Sequence, residues 1–206
     1  MHSIHKIGKS FWYITPVSLT DRPILGMVVG SKKTLMIDAG NSEEHMHYFL
    51  NELQKRGVPN PDLVVLTHWH WDHIFGLSAL PDTVSIASKE TEREMEKLIP
   101  FSWSDEAIDA RVNEGVEIEF CAKAIKEEYT NHRNIKITLP DITIEKRAEI
   151  NLGDVTCIVQ QVGGDHAADS VIVYIKEEKI LFLGDCIYPR MYAEKVHYTI
   201  SETLRL

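Results

Sequence analysis

At 206 residues the chain is long enough for a substantial buried core, since single cores remain workable up to about 250 residues. With 44% hydrophobic and 26% charged residues it has ordinary globular usage, which excludes disorder and fibrous repeats. A formal charge of -9, with no Lys/Arg stripe to gather phosphates, excludes nucleic acid as a partner.

The start, Met1-His2-Ser3-Ile4-His5-Lys6, lacks the apolar run of a secretory signal. No stretch of about 18 apolar residues is present to span a bilayer. The expectation is a cytoplasmic protein with no membrane partner. Short strands are predicted at Phe11–Thr15, Ile24–Gly30 and Thr34–Asp38, with a hairpin turn at Gly30-Ser31-Lys32-Lys33. Asn41 and Ser42 offer an N-cap to an amphipathic helix over Glu43–Arg56, closed by Gly57 and Pro59. Leu63–Leu66 is wholly apolar and β-branched, the pattern of a strand buried on both faces. Thr83–Ala87 reads as a strand and Lys89–Leu98 as a helix, and residues 104–129 carry helical spacing interrupted by Gly115. These make a helical insertion around residues 89–130. Strand character returns at 135–138, 142–145 and 155–162, followed by a hairpin from Val171–Ile175 to Lys179–Leu183. No Pro- or Gly-rich linker divides the chain, so one domain over residues 1–206 is expected. The hairpins ending at Asp38 and Asp185 are alike, a weak internal similarity compatible with two related halves.

The chemistry concentrates in Thr67-His68-Trp69-His70-Trp71-Asp72-His73, directly after a short apolar strand. Side chains two apart in an extended segment share a face, so His68 and His70 can approach one ion together. Asp72 and His73, on the turn that follows, can face a second. Imidazole nitrogens and carboxylate oxygens are suitable zinc ligands. A cluster this dense is costly to keep without a partner. Downstream, His166 lies in the glycine-containing loop Gly163-Gly164-Asp165-His166, and Asp185 follows Leu183-Gly184. His68, His70 and His166 can hold one ion, Asp72 and His73 another, with Asp185 bridging. The cysteines Cys121, Cys157 and Cys186 are far apart, lack a C-x-x-C pair, and read as small core residues, Cys186 next to a candidate ligand. His45 and His47 do not share a helix face, and His2, His5 and His132 sit in polar or terminal surroundings.

The H-x-H-x-D-H pattern of His68, His70, Asp72 and His73 resembles the metallo-β-lactamase superfamily, in its lactonase and glyoxalase-II-like branch. Asp38-Ala39-Gly40 is similar to that family's first aspartate motif, His166 to its third and Asp185 to its bridging carboxylate. The resemblance implies an αββα sandwich in the α/β (α+β) class, with the metals at one edge of the paired sheets. Asp38 would then support the ligands without being one. The family's further histidine, well beyond the bridging aspartate, has no clear counterpart. His197 is the sole downstream histidine and lacks the glycine-histidine context, so it reads as an exposed or packed residue. The expectation is an incomplete C-terminal layer from a truncated or cleaved chain, with a variant single-metal site or a neighbouring chain as alternatives.

The reaction implied is addition of a metal-bound hydroxide to an ester, thioester, lactone or amide carbonyl of a small molecule. The cofactor expected is Zn2+, one or two ions, with iron or manganese as alternatives. Asp72 is the candidate proton acceptor. Tyr188, three residues after Asp185, is similar in spacing to the substrate-facing tyrosine of acyl-homoserine lactonases. The alternatives are a mononuclear iron dioxygenase of the same fold and a catalytically impaired metal-binding fragment. An exposed edge left by a short C-terminus would favour a homodimer.

Overall fold

The computed structural model describes residues 2–130 and 133–205; the surface reading of His132 falls outside them. Seven strands form one sheet in chain order: β1 (Ile4–Ile7), β2 (Phe11–Ile14), β3 (Gly26–Val29), β4 (Thr34–Ile37), β5 (Leu63–Val65), β6 (Val84–Ser88) and β7 (Ile142–Ile144). The first four are antiparallel, and β4 to β7 are parallel. A second, antiparallel sheet has the order β11-β10-β9-β8, from β8 (Arg147–Asn151), β9 (Thr156–Gln161), β10 (Val171–Ile175) and β11 (Ile180–Phe182). The hairpin β3–β4 thus belongs to the larger sheet and β10–β11 to the smaller.

Helix α1 (Glu43–Gln54) begins where Ser42 Oγ accepts the His45 N–H at 3.0 Å. The caps of α3 (Lys89–Glu96) and α4 (Asp105–Asn113) are Ser88 and Ser104, each accepting from the third residue on. After α4 the chain turns at Gly115, φ 71°, into α5 (Glu119–Glu128). The break expected at this glycine is therefore present.

Alternation along the central strands divides the interior into two cores. Met27, Met36 and Val64 face the helices and pack with Met46, Phe49 and Leu53 of α1. Their neighbours Val28, Leu35, Ile37 and Val65 face the smaller sheet and pack with Val159, Val171, Val173 and Ile175. All four residues of β4 are buried, so Leu35, Met36 and Ile37 are apolar on both faces, and the one polar side chain, Thr34, donates its hydroxyl to the Asn60 carbonyl oxygen at 2.7 Å. The order helices, sheet, sheet is that of the expected sandwich. On the other face of β10, Ile172 and Tyr174 are half-buried, and the last helix, α6 (Ile200–Arg205), carries no buried side chain.

Two expectations are corrected. Residues 135–138 form no strand; Ile135, Ile137 and Leu139 alternate because they pack, partly buried, against the helix-side core. Strands β1 and β8 were not anticipated, since IHKI and RAEIN carry too few apolar residues to stand out. Among the described residues, no helix is long and apolar enough to cross a membrane.

Candidate metal centre

Parallel strand β5 delivers the histidine segment to the edge where the two sheets meet. After Val65 the chain stays extended, and His70, at φ -61° and ψ 145°, is the N-terminal flank of a one-turn helix α2 (Trp71–Ile74). Asp72 and His73 therefore lie on a helical turn, and His68 and His70 precede it. The loop after β9 brings His166, and the segment after β11 brings Asp185.

His70 Nδ1 lies 3.1 Å from His68 Nε2 and 2.9 Å from His166 Nε2. Three imidazole nitrogens aimed at one point are a donor set for a cation. Asp185 Oδ2 stands between this group and the next, 3.5 Å from His166 Nε2 and 3.7 Å from His73 Nε2. Asp72 Oδ2 is 3.1 Å from His73 Nε2. Donor atoms of His68, His73 and Asp185 lie within 4.8 Å of one another, as do those of His68, His70 and His166. The six residues singled out in the sequence are thus in one place, arranged as two adjoining groups with Asp185 at the junction.

Hydrogen bonds aim the imidazoles. Asp38 is fully buried, and its carboxylate accepts from the Thr67 N–H at 2.6 Å and the Thr67 hydroxyl at 2.9 Å. Its Oδ2 also lies 2.8 Å from His73 Nδ1. A proton on His73 Nδ1, donated to Asp38, leaves Nε2 as the free lone pair facing Asp72 and Asp185. His73 Nε2 and His166 Nδ1 are buried with no hydrogen-bond partner. An unpartnered buried Nε2 beside two carboxylates is a donor set suited to a cation.

The electrostatics agree with this reading. Burial, then the neighbouring imidazoles, hold His68 and His70 well below the usual histidine range, so both are neutral donors. Burial opposes a charge on His73, but Asp72, Asp38 and Asp185 outweigh it and raise its pKa well above that range. Asp185 resists its own burial because His73 and the other histidines hold its carboxyl below normal.

The centre opens into a cavity of about 610 Å³. Tyr13, Ile118, Phe120 and Phe182 are among its apolar and aromatic walls, and Asp21 and Arg22 also line it. Tyr188 lines it too, half-exposed, its ring 5.8 Å from that of His166. Sequence reasoning missed Asp21 and Tyr192. Asp21 is a further carboxyl, pushed up to about 7 by burial and by Asp72 and Asp185. Tyr192 donates to Glu117 Oε1 at 3.0 Å, and its ring lies 5.8 Å from that of His70. Neither had a local motif to mark it. His197 stays outside, exposed, with Nδ1 2.7 Å from the Lys195 carbonyl oxygen.

The family model of the metallo-β-lactamase superfamily matches residues 20–195. The chain belongs to the metallo-β-lactamase superfamily. Among curated proteins, this superfamily member is 27% identical over 177 residues to the acyl-coenzyme A thioesterase MBLAC2 of Gallus gallus, covering 82% of this chain and 58% of the relative. The Homo sapiens protein of that name is 26% identical over 180 residues, covering 82% and 59%. The chain thus spans less than two thirds of the length of these relatives. Solved metallo-β-lactamase folds superpose well. A metallo-β-lactamase from Pontibacter korlensis gives a TM-score of 0.60 at 20% identity, over 88% of this chain and 70% of that one. The DIM-1 metallo-β-lactamase exposed to ceftazidime gives 0.60 at 18% identity, over 97% and 76%.

Proposed function

We propose that this chain is a metal-dependent hydrolase acting on small acyl thioesters, with related esters and lactones as weaker substrates. The observation that carries the reading is the convergence of His68, His70, His166, His73, Asp72 and Asp185 at one end of a largely apolar cavity. The likeness to acyl-coenzyme A thioesterases favours thioesters within the class. His68, His70 and His166 would hold one divalent ion, zinc by preference. Asp72 and His73 would hold a second, with Asp185 shared. A bound ion of this kind supplies a Lewis acid and makes water ionisable near pH 7.

The chain's own residues then set the chemistry. Asp72, beside His73 Nε2, is the candidate proton acceptor. Asp38 keeps the His73 proton on Nδ1. The apolar walls take the acyl group and exclude bulk water, which strengthens each charge interaction at the centre. Tyr188 faces the cavity beside His166, where its hydroxyl can meet a carbonyl or leaving group.

The test is metal analysis by mass spectrometry on protein purified without chelator, beside His70→Ala and Asp185→Ala, with thiol release from acyl thioesters as the activity. Two zinc ions in the parent protein, one or none in the variants, and a fall of at least 10^2-fold in thiol release are the expected results. A single iron with oxygen consumption would replace this reading by the dioxygenase. Absence of metal from the parent protein would overturn the hydrolase reading.

A further inference from the structure

Asp169 belongs to the loop that carries His166, but its side chain reaches the other loop of the centre. Its Oδ2 accepts the backbone N–H of Trp69 at 3.0 Å, and Trp69 is the residue between His68 and His70. Two positions earlier, the Thr67 carbonyl oxygen accepts the Val171 N–H at 2.8 Å. The two bonds come from the same strand-entry segment and flank His68 on either side. Within that segment the Ser170 carbonyl accepts the N–H groups of Val162 and Gly163, both at 2.9 Å, which closes the His166 loop at its base. The Ser88 hydroxyl donates to the Asp169 backbone carbonyl at 3.3 Å.

The carboxylate itself is in an expensive place. Asp169 is 2% exposed, its Oδ1 is buried with no partner, and no cation pairs with it among the described residues. A buried carboxylate without a counter-ion costs free energy unless its hydrogen bonds do something an apolar side chain would not. Here the bond ties the segment bearing two imidazoles to the segment bearing the third.

We infer that Asp169 is a positioning residue of the metal centre, holding the His68–His70 segment against the His166 loop through the Trp69 N–H. This rests on the metal-binding reading of the three histidines. Hydrogen bonds behind metal ligands are worth about 10- to 100-fold in affinity, and this one would act through a peptide group instead of through an imidazole.

The experiment measures zinc affinity by competition with a chromogenic chelator and metal-free thermal stability by circular dichroism. It uses the parent chain, Asp169→Ala, Asp169→Asn and Ser88→Ala. Asp169→Ala is expected to weaken zinc binding about 10- to 100-fold. Asp169→Asn keeps an oxygen for the Trp69 N–H and restores affinity to within about 3-fold, because its amide replaces only the unpartnered Oδ1. Ser88→Ala removes the bond to the Asp169 carbonyl and the cap of α3, so it lowers the melting temperature while zinc affinity stays at the parent value. If Asp169→Ala does not fold, Asp169→Ser, too short to reach Trp69 but able to keep a hydroxyl in the site, gives the same comparison. Parent-like affinity in the Ala and Ser variants overturns the inference alone, and so does equal weakening by Ser88→Ala. Absence of zinc binding by the parent protein overturns the metal reading and this inference together.

Discussion

Asp38 sits in the left-handed region at φ 61°, where few residues other than glycine, asparagine and aspartate are comfortable. It satisfies three donor groups with two oxygens: the Thr67 N–H, the Thr67 hydroxyl and His73 Nδ1. Asp38→Asn tolerates the backbone but offers one oxygen fewer and no charge. The expected outcome is zinc binding about 10- to 100-fold weaker, read by chelator competition, with the far-ultraviolet circular dichroism unchanged. His45, in the first turn of α1, gives a different signal. It is fully buried, neither ring nitrogen has a partner, and it stacks on His2 at 5.2 Å. Burial first, then Arg22, lowers its pKa well below the usual value. The unfolded chain therefore takes up a proton near pH 6.5 that the folded one refuses, so the stability this residue allows is present above that pH and lost as pH falls below it. Denaturant titrations from pH 7.5 to 5 should show the parent chain losing more stability than His45→Phe, by up to about 1.4 kcal/mol per pH unit.

At the scale of elements, the centre depends on close backbone approaches. A β-carbon on Gly76, just after the turn that carries Asp72 and His73, would lie 2.2 Å from the Ala39 carbonyl oxygen and 2.9 Å from that of Ser42. Neither can move without shifting the start of α1. Gly76→Ala should lower stability by about 1–3 kcal/mol, as overpacking does, measurable by urea denaturation. The elements that build the centre were readable because their residues are constrained twice, by burial and by chemistry. β5 is apolar throughout and is followed at once by histidines. The Ser42 cap and the break at Gly115 were readable for the same local reasons. Asp169, Asp21 and Tyr192 were not, because their roles arise from contacts between segments far apart in sequence: Trp69 and Asp169 are 100 residues apart. Edge strands β1 and β8 escaped notice because one-sided burial leaves a weak apolar pattern.

For the whole molecule, the fold and the six candidate ligands could be read from one dense motif and the order of the later ones, whereas the shape of the cavity could not. One long-range tie deserves a test at this scale. Arg22, which lines the cavity, makes a two-pronged bond to Glu128 at the end of α5, through Nε at 3.1 and 3.0 Å and Nη2 at 2.8 Å. The Ser42 hydroxyl donates to the same carboxylate. The Glu128 side chain is only 2% exposed. Glu128→Ala leaves the guanidinium with only the exposed Glu44 carboxylate, 3.8 Å away, and should cost about 3 kcal/mol, the low end for a broken buried pair. Chemical denaturation would measure it, and truncating both residues together should recover part of the loss.

His70 and His166 meet at 2.9 Å although 96 residues separate them. A ribosome adds about 5–20 residues per second. For several seconds of each synthesis the dense histidine segment is therefore outside the tunnel while its distant partners do not yet exist. On the metal-binding reading, an ion captured in that interval would be held by an unfinished set of donors.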